Sequence, residues 1–267
     1  MADLRIFSYL PNPRIWKATI AARLTGVEIE IRGAKPAELP DWLWDFDAHP
    51  LTEADRADTT ARAAHTGFDG NLIKTDAFLA ANPFGTVPVA FSPDGTVGIF
   101  ESNAIMRAVA RIGADAFPLY GAGPYEAARI DAFLDVSLVF ARTSQIYLLA
   151  LAGDRLAPEV RETTRAAFET YMAGIEQALA PDRPYLVGDG VTLADICFAA
   201  ELTQISRERG SIAKLGSDGV EPIFGAAAYD EYPRATAHFD RLCRHPAFAP
   251  DIQPFLEKIA QAAARKR

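Results

Sequence analysis

Apolar and polar positions change their spacing several times along the first 32 residues. Leu4–Tyr9 is a short apolar run that predicts a buried strand, and the Pro-Asn-Pro sequence at 11–13 predicts the turn that ends it. Apolar positions at helical spacing over Arg14–Leu24, followed by Gly26, predict a helix with a glycine at its end. Val27–Ile31 alternates apolar and charged residues and predicts a half-exposed strand. The chain therefore opens with a β-α-β unit.

A second run of regular patterning begins at Thr75. Thr75–Ala81 predicts a short helix, and Val87–Phe91 and Val97–Phe100 predict the two strands of a hairpin joined by a Ser-Pro-Asp-Gly turn. Ser102 is predicted to be the N-cap of a helix that runs to about Ile112. The predicted order of this half is β-α-β-α-β-β-α.

Residues 36–75 lack this regularity. They contain three prolines, the pair Trp42 and Trp44, and a charged, Thr-rich stretch. We predict an inserted loop with a helical turn around Glu53–Ala64. Two interpretations stay open at this point: a hydrophobic flap over a site, and a surface excursion.

The second half of the chain has helical periodicity almost throughout. Residues 113–124 are rich in Gly and Pro and predict an interdomain linker. Candidate helices follow at 125–152, 158–179, 192–209, 233–244 and 251–264. The sequence therefore predicts two domains of different class, a mixed α/β domain at 1–112 and an all-α domain at 125–267.

Composition narrows the function classes. The 267 residues carry a net charge of −8, which disfavours a nucleic-acid binder because such proteins need a basic surface. We expect no membrane span and no signal peptide, and the two cysteines predict no disulfide framework, so a cytoplasmic location is expected. No metal site is expected either, because the spacing of the histidines fits none: His49, His65, His238 and His245.

Two short motifs carry the candidate chemistry. Pro88 stands at the entrance to a strand, where a cis Val87–Pro88 bond would leave the backbone of Val87 free to pair with a peptide ligand. An ordinary trans proline is the alternative. Glu101 and Ser102 stand where a strand ends and a helix begins, so Ser102 and free N–H groups offer donors to a carboxylate, while Glu101 offers a charge to an amine. A plain helix cap is the alternative for Ser102.

Three stretches of the first half, IFSYLPNPRIWKATIAA, FLAANPFGTVPVAF and GTVGIFESNAI, resemble the glutathione-binding half of the glutathione transferase superfamily. YLVGDGVTLADI, with a predicted capping box of Thr192 and Asp195, is similar to the core helix motif of that family's second domain. The closest resemblance is to the transferase-like domain of the elongation factor gamma subunit. The resemblance implies a thioredoxin-like α/β N-terminal domain followed by an all-α C-terminal domain.

The same resemblance implies a site for glutathione as co-substrate. Val87, next to the cis Pro88, would pair with the cysteinyl backbone of glutathione, and Glu101 and Ser102 would hold its γ-glutamyl end. A donor just after the first strand would stabilise the thiolate, because a free thiol has a pKa of about 8.5. Asn12 occupies that position and Tyr9 is the next candidate, whereas an Asx turn is the alternative role for Asn12.

The function implied is a glutathione-dependent transferase or lyase. The glutathione thiolate would act as nucleophile on a small hydrophobic electrophile, aromatic compounds included, in conjugation or in ether or thioether cleavage. The alternative is a non-catalytic protein-interaction module that resembles the elongation factor gamma domain. The resemblance also implies a homodimer.

Overall fold

A computed structural model describes residues 2–58, 61–63, 70–153 and 156–264 of the chain. It divides into two compact units, Met1–Phe117 and Pro118–Arg267. The division falls within the Gly- and Pro-rich stretch 113–124.

The first unit contains eight strands and four helices in the described residues. In chain order they are β1 Leu4–Tyr9, α1 Pro13–Thr25, β2 Ile29–Ala34, β3 Trp42–Trp44, β4 His49–Pro50, α2 Glu53–Asp58, β5 Ala61–Ala63, β6 Asn71–Lys74, α3 Asp76–Ala81, β7 Val89–Phe91, β8 Gly98–Phe100 and α4 Ser102–Ile112.

The first sheet has the strand order β2-β1-β7-β8. β1 and β2 are parallel, as a strand-helix-strand connection through α1 requires, whereas β7 is antiparallel to both β1 and β8. α1 begins after Asn12 and ends at Gly26, whose φ of 75° suits a residue without a Cβ. The second strand begins and ends later than predicted: β2 runs over Ile29–Ala34, so Val27 lies before it.

The described part of residues 36–75 contains four strands that form a second sheet, so the prediction of an inserted loop is wrong. Its strand order is β4-β3-β6-β5, and of the predicted helical turn only α2 is helical in the described residues. Trp44 is 1% exposed and packs with Phe7 and Phe78 in the core of the first unit. The segment is therefore part of the domain core, not a surface excursion. Its strands are two to four residues long, which is too short for a clear alternating pattern.

The second unit is helical in its described residues. Its helices are α5 Pro124–Ala152, α6 Pro158–Ala178, α7 Leu193–Ile205, α8 Ile212–Ser217, α9 Ala227–Glu231, α10 Pro233–Arg244 and α11 Ala249–Ala264. Every residue of α7 is buried, and its start carries the predicted capping box, in which the Asp195 carboxylate accepts hydrogen bonds from the Thr192 backbone N–H and hydroxyl, both at 2.9 Å.

α5 is long and apolar enough to cross a membrane by length and composition alone. In the most apolar 18-residue window of this helix, 44% of the residues are buried inside the protein. Its buried positions, such as Leu134 and Tyr147, are nearly inaccessible, as they are in the core helix of a helical domain.

Candidate functional site

Strand register brings the sequence-predicted binding residues to one end of the first sheet. Val89 of β7 lies opposite Phe100 of β8, and the two strands are antiparallel. Val87 lies two residues before Val89, and Ser102 lies two residues after Phe100. Because the strands are antiparallel, both residues lie at the same end of the sheet. β1 ends there as well, because Phe7 pairs with Val89 from the other side.

The Val87–Pro88 peptide bond is cis, as the sequence analysis predicts. Val87 is half-buried and lies just outside β7. In the described part of the chain, neither its backbone N–H nor its C=O makes a hydrogen bond. The peptide unit is thus available to an extended ligand at the sheet edge, which is how β-strand addition recognises peptides.

Glu101 has an unusual backbone conformation, with φ 69° and ψ 124°. Among the described residues it is the one non-glycine residue with a positive φ. Residues held in such sparsely populated regions cluster at functional sites, where the surrounding structure maintains them. The Glu101 side chain is exposed and makes no capping hydrogen bond, so its carboxylate is available to a cationic group.

Ser102 is the first residue of α4, not its N-cap, so that part of the prediction is wrong: Glu101 occupies the cap position. The Ser102 side chain is 9% exposed, and no residue in the described ranges forms a hydrogen bond with its hydroxyl. The start of a helix also presents unpaired N–H groups and a partial positive charge. The Ser102 hydroxyl and the N-terminal end of α4 together offer hydrogen-bond donors suited to a carboxylate.

Pro88 and Ser102 lie close enough to line the same small crevice. The crevice is also lined by residues of β1, α1 and α4: Ile6, Arg14, Ile15, Ala18 and Ile105. The structure therefore brings together the two motifs that the sequence separates by about a dozen residues. Larger depressions among the described residues lie in the second unit, and none of the predicted site residues lines them.

The Asn12 side chain is held within the turn that precedes α1. Its side chain is 1% exposed, its Oδ1 accepts a hydrogen bond from the Arg14 backbone N–H at 3.0 Å, and its Nδ2 donates to the Ser8 hydroxyl at 3.2 Å. This is the Asx-turn and helix-capping role given above as the alternative. Tyr9 is half-buried at the end of β1 and packs against the core of the first unit.

Sequence reasoning missed the buried polar residues that support this end of the sheet. The Lys17 ammonium donates to the Asn103 side-chain carbonyl at 2.7 Å, and both side chains are almost completely buried. This bond joins α1 to the first turn of α4, directly beside Ser102. A lysine within the apolar sequence IWKATI was the available signal, because a buried charge needs a partner. Asn82 and Lys74 support the loop before Val87.

Among the described histidines, His49 belongs to the first unit, and His238 and His245 belong to the second. His49 contacts Asp55 in the second sheet, and His238 is buried against Asp195 at 2.8 Å. His65 lies outside the described residues. Within the ranges that the structure describes, no group of three His, Cys, Asp or Glu residues could hold a metal ion.

Two family models match the chain. The model described as glutathione S-transferase, N-terminal domain, matches residues 13–112, and glutathione S-transferase, C-terminal domain, matches residues 130–246.

Curated relatives include two rice proteins. Elongation factor 1-gamma 1 of Oryza sativa subsp. japonica is 39% identical over 193 residues, which are 72% of this chain and 38% of that protein. Elongation factor 1-gamma 3 of the same plant is 31% identical over 258 residues, 96% of this chain and 50% of that protein. The chain thus spans half or less of the length of these relatives.

Solved structures with the same fold are named glutathione S-transferases. One from Methylobacterium radiotolerans, in complex with glutathione sulfonate, has a TM-score of 0.62 and 20% identity and covers 93% of this chain and 94% of that one. An epsilon-class enzyme from the housefly Musca domestica has a TM-score of 0.65 and 13% identity, covering 99% and 98%. At these identities the likeness concerns the fold, and it confirms the predicted thioredoxin-like first domain and helical second domain.

Proposed function

Because the chain belongs to the glutathione transferase superfamily, we propose that it binds glutathione at the open end of the first sheet. The proposal assigns three contacts. The Val87 backbone pairs with the cysteinyl residue, the Ser102 hydroxyl and the first N–H groups of α4 take the γ-glutamyl carboxylate, and the Glu101 carboxylate takes the γ-glutamyl amine.

One observation carries this proposal. The Val87 peptide, the Ser102 hydroxyl and the Glu101 carboxylate lie at one sheet end, and none of the three has a hydrogen-bonding partner among the described residues. Polar groups near a protein interior are normally paired with each other. A small peptide with an amine, a carboxylate and backbone amides supplies the complementary groups.

We further propose that bound glutathione reacts as a thiolate with a small hydrophobic electrophile, in conjugation or in ether or thioether cleavage. The protein's part is to position the thiol and to lower its pKa. Tyr9 is the stronger candidate donor, because it is half-buried at the end of β1 whereas Asn12 is only 1% exposed. The start of α1 offers no alternative donor, because Pro13 has no N–H and the N–H groups of Arg14 and Ile15 both donate to Asn12.

A non-catalytic interaction module is the second candidate. The names of the sequence relatives favour it, and so does the buried, internally bonded Asn12, since a site without a thiol donor would bind glutathione with little turnover. In either case we propose a cytoplasmic homodimer. The exposed apolar face of α5, formed by Val136, Val139, Ile146 and Leu149, supports a contact with a second copy.

Calorimetric titration with glutathione, followed by turnover assays with halogenated aromatics and aryl ethers, separates these candidates. Binding together with turnover supports the enzyme. Binding without turnover supports the module, and no binding of glutathione contradicts both the assigned site and the enzyme.

A further inference from the structure

The loop that precedes Val87 is held from inside the first unit by three hydrogen bonds. The Gly85 N–H donates to the Asn82 carbonyl at 2.9 Å, and the Asn82 side-chain amide donates to the Thr86 carbonyl at 2.7 Å. The third bond comes from a different part of the chain: the Lys74 ammonium donates to the Gly85 carbonyl at 2.7 Å. The two carbonyls just before Val87 are thus both fixed inward.

Lys74 is an unusual residue for this position. It is the last residue of β6, it is 2% exposed, and its ammonium lies 4.9 Å from the centre of the Trp44 ring. Within the described ranges, no carboxylate lies within salt-bridge distance of it. Burial lowers the pKa of Lys74, whereas the Gly85 carbonyl and the Trp44 ring favour its charged form.

Gly85 is shaped to receive this contact. Its φ of 59° lies in the left-handed region, and a Cβ added there would come within 3.1 Å of the Lys74 ammonium nitrogen. Any side chain at Gly85 would therefore strain the backbone and crowd the same hydrogen bond. A substitution at either Lys74 or Gly85 would therefore disturb the same hydrogen bond.

We propose that Lys74 is a positioning residue for the glutathione site: its bond to Gly85 sets the path of residues 85–87 and thereby presents the Val87 peptide to the ligand. The proposal rests on the function proposed above. It gives the second sheet a role in binding, because that sheet supplies the lysine and, through Trp44, the ring against which the lysine lies. Lys74 itself touches no ligand in this scheme.

The test compares Lys74→Met, which keeps an unbranched apolar stem of similar length, with Lys35→Met, whose native lysine side chain is 78% exposed. Both variants and the parent are titrated with glutathione and with γ-glutamylcysteine, which lacks the glycine. We expect Lys74→Met to bind both peptides about tenfold more weakly, because a charge-assisted bond is lost and the loop relaxes. Lys35→Met should bind both as the parent does.

Gly85→Ala provides a second variant that attacks the same contact. Its effect on binding should add less than fully to that of Lys74→Met in the double variant, since both changes disturb the same contact. If Lys74→Met is folded and binds glutathione within twofold of the parent, the proposal is overturned. A loss that occurs with glutathione but not with γ-glutamylcysteine also overturns it, because Lys74 would then hold the glycine carboxylate directly.

Failure of the proposed function itself gives a different result. If the parent binds neither peptide, the glutathione site is wrong, and the positioning role is read from hydrogen exchange of the Gly85 amide, which is bonded to Asn82. Faster exchange in Lys74→Met with unchanged exchange in the helices of the second unit supports positioning of the loop. Unchanged exchange at Gly85 overturns it.

Discussion

Ser102→Ala removes one hydroxyl from the proposed site and leaves the fold almost untouched. The Ser102 hydroxyl has no partner in the described part of the chain, and Ser102 follows the cap position of α4 instead of occupying it. Its loss should therefore change the free energy of unfolding by no more than about 0.5 kcal/mol. A hydrogen bond from this hydroxyl to a ligand carboxylate is worth roughly 1–3 kcal/mol, so glutathione should bind about 5- to 150-fold more weakly.

Isothermal titration of both proteins with glutathione measures this difference, and thermal unfolding of each reports stability. Ser217→Ala is the matched control, because the Ser217 hydroxyl donates to a backbone carbonyl in the second unit, at 2.8 Å from Lys214 O. The control should bind glutathione as the parent does. The reasoning fails if Ser102→Ala is folded and retains parental affinity, since the hydroxyl would then lie outside the site.

Three further outcomes are expected. Asn12→Ala should lower the free energy of unfolding by about 1 kcal/mol in denaturant titration, whereas Asn12→Asp should keep the cap. A raised thiol pKa of bound glutathione in Asn12→Ala, which adds no charge, would show that the lost amide serves the sulfur after all. A hydrogen bond with the Asp47 carbonyl is the largest cause that raises the pKa of His49. The stability that protonated His49 contributes is therefore complete below about pH 6.5 and is lost as pH rises through the raised pKa. His49→Gln should flatten this fall of the melting temperature with pH, and identical pH profiles of the two proteins would contradict the assignment. Val139→Asp with Ile146→Asp should convert a dimer to a species of 29.0 kDa in sedimentation, and a parent already at that mass would contradict the dimer.

Long periodic segments were predictable from the sequence. α5, α6 and α10 begin and end within one or two residues of their predicted limits, because each has both a helical apolar stripe and a proline in its first turn. α8 and α9 were not predicted, since helices of five or six residues have too few positions to show a period. The second sheet was not predicted for the same reason, because its strands are only two to four residues long.

The residues proposed to contact the ligand were predictable from the sequence, whereas the residues that support them were not. The cis bond at Pro88 was predicted from a proline at the entrance to a strand taken together with the strand-to-helix junction at Glu101 and Ser102, because the proline alone left a trans bond open. Lys74 lies in a segment without regular patterning, and only the folded chain brings it to Gly85. Asn12 suits two roles by its residue type, thiol donor and turn residue. Its hydrogen bonds with Ser8 and Arg14, which bear on that choice, are seen only in the folded chain.

The central claim is that glutathione occupies the open end of the first sheet. Titration of ¹⁵N-labelled protein with glutathione, followed in backbone amide spectra, tests it most directly. The account predicts saturable shifts at the amides of Val87, Glu101 and Ser102, reduced in Ser102→Ala, with the amides of α10 and α11 unchanged. Absence of shifts at those three amides, or shifts confined to the second unit, would contradict it.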